Sequence, residues 1–185
     1  MNRGQASLQR GFTLVELLIV VIILAILAAI VVPQFSSVTD EAKNASLDST
    51  LVSIRGAIDL YYRQHGKYPA AVAATGATCT GGGTAGTGAI DTPQAFLDQL
   101  SMYTDATGKA CSTTDATYKY GPYLKKNTLP PNPVTGISTL LVVNTGDLNL
   151  AGTAASLGWR YDDKIGKFIA NDTTADPNGV TYDKH

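Results

Sequence analysis

From Phe12 to Val32 only Thr13 and Glu16 interrupt a run of Leu, Ile, Val, Ala and Phe. As a helix these residues would measure about 30 Å, the thickness of a bilayer's hydrocarbon core, so the pattern predicts a membrane-spanning helix. Pro33 cannot donate the N–H that would reach the carbonyl of Ala29, and a kink rather than a stop is expected there. Beyond it Val38, Ala42, Ala45, Leu51, Ile54, Ile58, Tyr61 and Tyr62, with Leu47 flanking, recur at spacings of mostly three and four. That period predicts an amphipathic continuation of the helix, its apolar stripe packed on a domain. Gly66 reads as the carboxy-terminal cap, and Pro69 prevents resumption.

Residues 70–91 are rich in Ala, Thr and Gly and predict a mobile surface loop. Gly81, Gly83 and Gly86 satisfy the dinucleotide pattern G-x-G-x-x-G, but no strand precedes them and no helix opens directly after them, so the match carries no weight. Thr92 can cap a short helix with Pro93 at its first position and Phe96, Leu97, Leu100 and Tyr103 on one face. The pattern then changes period. Thr139 to Val143 is a short apolar run, and Trp159-Arg160-Tyr161 and Lys167-Phe168-Ile169 flank a five-residue turn, Asp162 to Gly166. A small antiparallel sheet packed on the long helix would bury both apolar faces, which makes the fold class α+β. From about Asn171 the chain reads as a loose tail.

Composition and charge narrow the functions. One head is expected, since 185 residues are short for two full domains. The net charge is −1; without Arg3 and Arg10 the basic residues fall from 14 to 12 against 15 acidic, which argues against nucleic acid as the main partner. Arg3 and Arg10 precede the apolar run, whereas Asp40 and Glu41 come after it. The positive-inside rule therefore leaves the amino terminus in the cytoplasm and exports the head. In an exported head Cys79 and Cys111 are expected as a disulfide. Ordinary signal-peptide cleavage after the run is disfavoured, because Ala29 is preceded two places back by Leu27 and Ala28 by Ile26. Glu16 is the anomaly. A carboxylate one turn inside the apolar run needs a partner.

The stretch Arg10-Gly11-Phe12-Thr13-Leu14-Val15-Glu16-Leu17-Leu18-Ile19-Val20 resembles the class III leader of type IV pilins and type II secretion pseudopilins. The resemblance implies a prepilin leader at 1–11, cut by a prepilin peptidase between Gly11 and Phe12, and methylation of the new amino group of Phe12. It implies that Glu16, fifth in the processed chain, neutralises the amino terminus of a neighbouring subunit. It further implies a transmembrane and filament-core helix at 12–33, its amphipathic continuation at 34–66, a pilin-like head at 67–170 and a tail at 171–185. Gly121-Pro122-Tyr123-Leu124-Lys125-Lys126 and Leu129-Pro130-Pro131-Asn132-Pro133 resemble the link before the sheet in major pseudopilins. The implied partners are other copies in a filament, the peptidase, an inner-membrane assembly platform and membrane lipid, with the head in the periplasm.

No catalytic set is apparent, since the only histidines are His65 at a helix end and His185 at the terminus. No cofactor is implied beyond calcium, a feature of a late loop in major pseudopilins. Asp162, Asp163, Asp172 and Asp176 are the candidate oxygen ligands, with solvated turn carboxylates as the plainer reading. Three classes of function remain. The leading one is a filament subunit, first a type II secretion pseudopilus and second a surface type IV pilus for adhesion, motility or DNA uptake. A membrane-anchored periplasmic binding module and an anchored enzyme are the others.

Overall fold

A computed structural model describes residues 12–153 and 157–185, with the side chains of 32–37 outside the described set. The chain divides into two compact units, Met1–Asp40 and Glu41–His185. Helix α1, Leu14–His65, runs through 52 residues. In the first unit its segment Leu14–Val31 has a mean hydropathy of 3.3, is long and apolar enough to cross a membrane, and has none of its surface buried. The kink expected at Pro33 falls on a side chain outside those described.

In the second unit α1 supplies one wall of the core. Leu47, Leu51, Ile54, Ile58 and Tyr61 are fully or almost fully buried, at spacings of four, three, four and three. The buried stripe differs from the expected one. Ala42 and Ala45 are exposed, because each lies nine residues, two and a half turns, before Leu51 and Ile54 and so on the opposite face of the helix. Val38 and Tyr62 are exposed as well, and Leu47 is central rather than flanking. α1 ends where Gly66, at φ +68°, donates its N–H to the Tyr62 carbonyl at 2.8 Å.

Helix α2, Pro93–Ser101, starts as its sequence predicts: the Thr92 side chain accepts from the Ala95 N–H at 3.2 Å, and Pro93 opens the first turn. Phe96 and Leu100 face the core. Strands β1, Tyr103–Thr104, and β2, Ala110–Cys111, pair antiparallel. The main sheet has the order β3-β4-β5, with β3 Leu140–Val143, β4 Trp159–Asp162 and β5 Lys167–Ala170. Its β4–β5 hairpin is antiparallel with Tyr161 opposite Phe168, whereas β3 joins β4 in parallel. The intervening residues 144–158 are long enough to carry the chain back to the same end of the sheet, which a tight turn could not do. Trp159, Tyr161 and Phe168 join the α1 stripe and Phe96 in one core, where Phe96 and Tyr161 rings lie 4.7 Å apart.

Two segments expected to be loose are tied down. In the insertion 70–91 the Asp91 N–H bonds the Ala70 carbonyl at 3.0 Å, Ala74 bonds Gly88 at 2.9 Å, and Gly86 bonds the Ala110 carbonyl at 2.8 Å. Side chains of α2 complete the fastening. Gln99 accepts from the Ala70 N–H at 2.7 Å and donates to the Val72 and Gly108 carbonyls, and Asp98 accepts from Thr87 and Gly88. The expected disulfide joins Cys79 in the insertion to Cys111 on β2, with Cα atoms 5.8 Å apart. At the carboxy end Tyr182 enters the core and a 3₁₀ turn covers Tyr182–Lys184. Aromatic burial and carboxylate-anchored turns hold this tail, features that a count of aliphatic residues overlooks.

Candidate functional site

Glu16 stands where the first turn of α1 begins. The Thr13 N–H donates to its Oε2 at 2.9 Å and the Thr13 hydroxyl at 2.7 Å. In return the Glu16 N–H donates to Thr13 Oγ1 at 3.3 Å, and the Leu17 N–H closes the first helical bond on the Thr13 carbonyl at 3.3 Å. Thr13 is thus the N-cap, and Thr13-x-x-Glu16 is a reciprocal capping box. Its signal is local in the chain, a threonine three places before a glutamate at the head of an apolar run, and a reading of Glu16 by charge alone misses it. Phe12 precedes the cap and is 86% exposed; Gly11 lies outside the described residues. The surroundings of Glu16 are otherwise aliphatic: Leu14, Val15, Leu17, Leu18, Ile19 and Val20 are all at least half exposed. An exposed apolar helix with a carboxylate at its start suits association with lipid or with other apolar helices, and gives that association one polar contact to satisfy.

The four candidate calcium ligands do not converge. Asp162 is buried and holds the 144–146 turn: its Oδ2 accepts from the Thr145 hydroxyl, from the Thr145 N–H at 3.1 Å and from the Gly146 N–H at 2.8 Å, while Oδ1 accepts from Lys164 at 3.0 Å. Burial pushes its carboxyl up, but these bonds together hold it below the usual carboxylate range. Asp172 holds its own turn through Thr174 at 2.8 Å. Asp176 accepts from the Asn178 and Val180 N–H groups at 2.9 Å. Each has taken donors rather than left oxygens facing a common point. Among the described residues no three Asp, Glu, His or Cys side chains are grouped to hold a metal ion. Asp163 differs from the rest: it is wholly buried, and neither carboxylate oxygen has a hydrogen-bond partner.

The other sequence candidates are structural. The N–H of Gly83 bonds Thr80 and that of Gly86 bonds Ala110, so these two amides are not free to cradle a phosphate. His65 faces the Tyr61 carbonyl with Nδ1 at 2.9 Å and the Thr104 hydroxyl with Nε2 at 2.9 Å. A carbonyl only accepts, so Nδ1 carries the proton and Nε2 accepts. His185 reaches Asp48 at 3.0 Å.

Similarity to a known family covers this first turn and the apolar helix it opens. Residues 6–32 match the family described as the prokaryotic N-terminal methylation motif. The chain is similar to the type II secretion system core protein G of Klebsiella pneumoniae, 41% identical over 61 residues, covering 33% of this chain and 44% of that protein. It is also similar to the type IV narrow pilus major component of Thermus thermophilus, 50% identical over 48 residues, covering 26% and 41%. A type IV major pilin of Neisseria gonorrhoeae is 40% identical over 63 residues, covering 34% and 38%. The chain thus spans less than half the length of these relatives. No solved structure matches it.

Proposed function

We propose, from the N-terminal methylation motif at residues 6–32 and the geometry of Glu16, that this chain is a structural subunit of a pilin-like filament. Cleavage between Gly11 and Phe12 would release the amino group of Phe12 for methylation. The segment 12–31 would serve first as a membrane anchor and then as filament core. The observation that carries the reading is the Glu16 carboxylate, exposed at the start of a helix whose apolar surface is otherwise uncovered. In a low-dielectric helix bundle that charge seeks a cation, and the protonated amine on the Phe12 of a neighbouring copy is one of opposite sign and matching depth. The head would lie on the periplasmic side, and the peptidase and an assembly platform in the inner membrane would be its partners.

Within this reading a type II secretion pseudopilus comes first, supported by the similarity to core protein G and by the proline-rich link at 121–133. A surface type IV pilus comes second, supported by the similarity to the Thermus and Neisseria proteins and by the Cys79–Cys111 bond. Glu16→Ala is the test. The variant should be cleaved and methylated as the parent is, yet yield no filament in sheared-fibre or cross-linking assays. Normal filaments from Glu16→Ala would sink the proposal. Loss of exoprotein secretion without loss of surface fibres in a strain lacking the chain would select the pseudopilus, and the reverse result the pilus.

A further inference from the structure

Arg55 of α1, Leu150 of the β3–β4 connection, Lys167 and Ile169 of β5, and Asp183 and Lys184 of the 3₁₀ turn line a cavity of about 470 Å³. That volume suits a small organic molecule. Strand alternation explains part of the lining: β5 turns Phe168 into the core, so Lys167 and Ile169 point the other way. Ile169 and Leu150 are both buried yet stand apart from the main core, and they give the cavity an apolar wall.

Two of its cations are already held in place. Arg55 Nε donates to the Phe168 carbonyl at 3.0 Å, and its Nη2 donates to a main-chain oxygen of His185 at 2.8 Å. Lys167 Nζ donates to the Leu148 carbonyl at 2.9 Å. Both groups carry further N–H donors beyond these. Burial works against the Arg55 charge, and Asp48 offsets that only in part. The nearby carboxylates have other tasks. Asp183 accepts from the Gly152 N–H at 2.8 Å with Oδ2 and from the Thr181 hydroxyl at 2.6 Å with Oδ1, and Asp48 lies 3.0 Å from the His185 ring. Arg55, Lys167 and Lys184 thus face one cavity in which the single lining carboxylate, Asp183, is already bonded through both oxygens.

A carboxylate or a phosphate answers this arrangement, because either accepts charge-assisted hydrogen bonds from a guanidinium and from ammonium groups at once. Donors pinned in advance cost little to order when the ligand enters. We propose that this cavity binds a small organic anion, its carboxylate or phosphate held by Arg55, Lys167 and Lys184 and its carbon body resting on Leu150 and Ile169. Such a ligand would touch α1, β5 and the carboxy-terminal turn together, so binding would also stabilise the folded head against heat.

The test is calorimetric titration of the full chain in uncharged detergent micelles with inorganic phosphate and, separately, with citrate, the ionic strength being held constant by sodium chloride. At least one probe should bind saturably: phosphate alone would identify the head group as a phosphate, citrate alone as a carboxylate, and both as any oxyanion of this size. Lys167→Gln and Lys184→Gln, neither at a fully buried position, should each weaken binding by about tenfold, the loss of one charge-assisted bond. Lys126→Gln, which removes a charge from a different cavity, should leave the affinity as in the parent. Emission of the buried Trp159 checks that each variant is folded. Failure of both probes to saturate would overturn the site. So would Lys167→Gln and Lys184→Gln proteins that bind as the parent does, or an equal loss in Lys126→Gln, which would reduce the effect to diffuse surface charge.

Discussion

His65 closes α1 by occupying both ring nitrogens, one on Tyr61 and one on Thr104, while its ring stacks on that of Tyr61 at 3.9 Å between centroids. A second ring proton would be aimed at a hydroxyl that now donates. Burial pulls the imidazole below its ordinary value of 6.5, and the Tyr61 carbonyl and Asp105 offset that only in part. The folded state prefers the neutral ring, so its contribution is present above about pH 6.5 and fades as the pH falls below that point. His65→Gln, which keeps a donor and an acceptor without titrating, should flatten the thermal midpoint between pH 6.5 and 5 relative to the parent; an unchanged slope would remove His65 as its source. Single residues of this kind are poorly legible in the chain. His65 and Gln99 look alike in any periodicity, and only the fold reveals that one caps a helix and the other holds three loop groups. Thr13 and Glu16 are legible in principle, because a capping box is local.

The helices show how the same residue type acts in opposite ways. Gly56 lies inside α1 on its exposed face, and a Cβ added there would meet nothing within 4 Å. Gly56→Ala should stabilise the head by about 0.5–1 kcal/mol in denaturant titration, through helix propensity alone. Gly88 runs beneath the start of α2, where an added Cβ would fall 2.0 Å from the Ala95 nitrogen. Gly88→Ala should cost about 3 kcal/mol or more in the same titration, since backbone must move. Elements with local signals are predictable: α2 from Thr92-Pro93, and the β4–β5 hairpin from two aromatic runs around a turn ending in Gly166, which sits at φ +71°. The parallel pairing of β3 is not, because strand direction depends on the path of residues 144–158 rather than on the strand's own composition. The phase of α1 fails for a related reason. Ala42 and Ala45 are as apolar as a core needs, and only the position of the head decides which face is covered.

The head closes its insertion in several ways at once: a bond at the base, two α2 side chains reaching across, and a disulfide spanning 32 residues. Loop closure of that length is worth about 3 to 4 kcal/mol in the polymer account. Paired Cys79→Ser and Cys111→Ser substitutions should lower the unfolding free energy by that amount without exposing Trp159 in the native state, as near-ultraviolet dichroism would report. A native spectrum that collapses would mean that the bond builds the core rather than restraining it. The class of the molecule, a long apolar-to-amphipathic helix and then a small sheet, is visible in the change of hydrophobic period along the chain. The fastening of the insertion and tail is not, since it rests on polar contacts between residues far apart in sequence.

The capping box at the head of α1 lies entirely downstream of the Gly11–Phe12 bond. A cut there would break none of its hydrogen bonds, and the helix would begin at the same residue before and after. Processing would then be silent at the cap: it would change what the terminus is chemically without breaking the bonds that start the helix. A machine that must distinguish precursor from product would find no difference in the cap itself, and would have to read the leader or the amine.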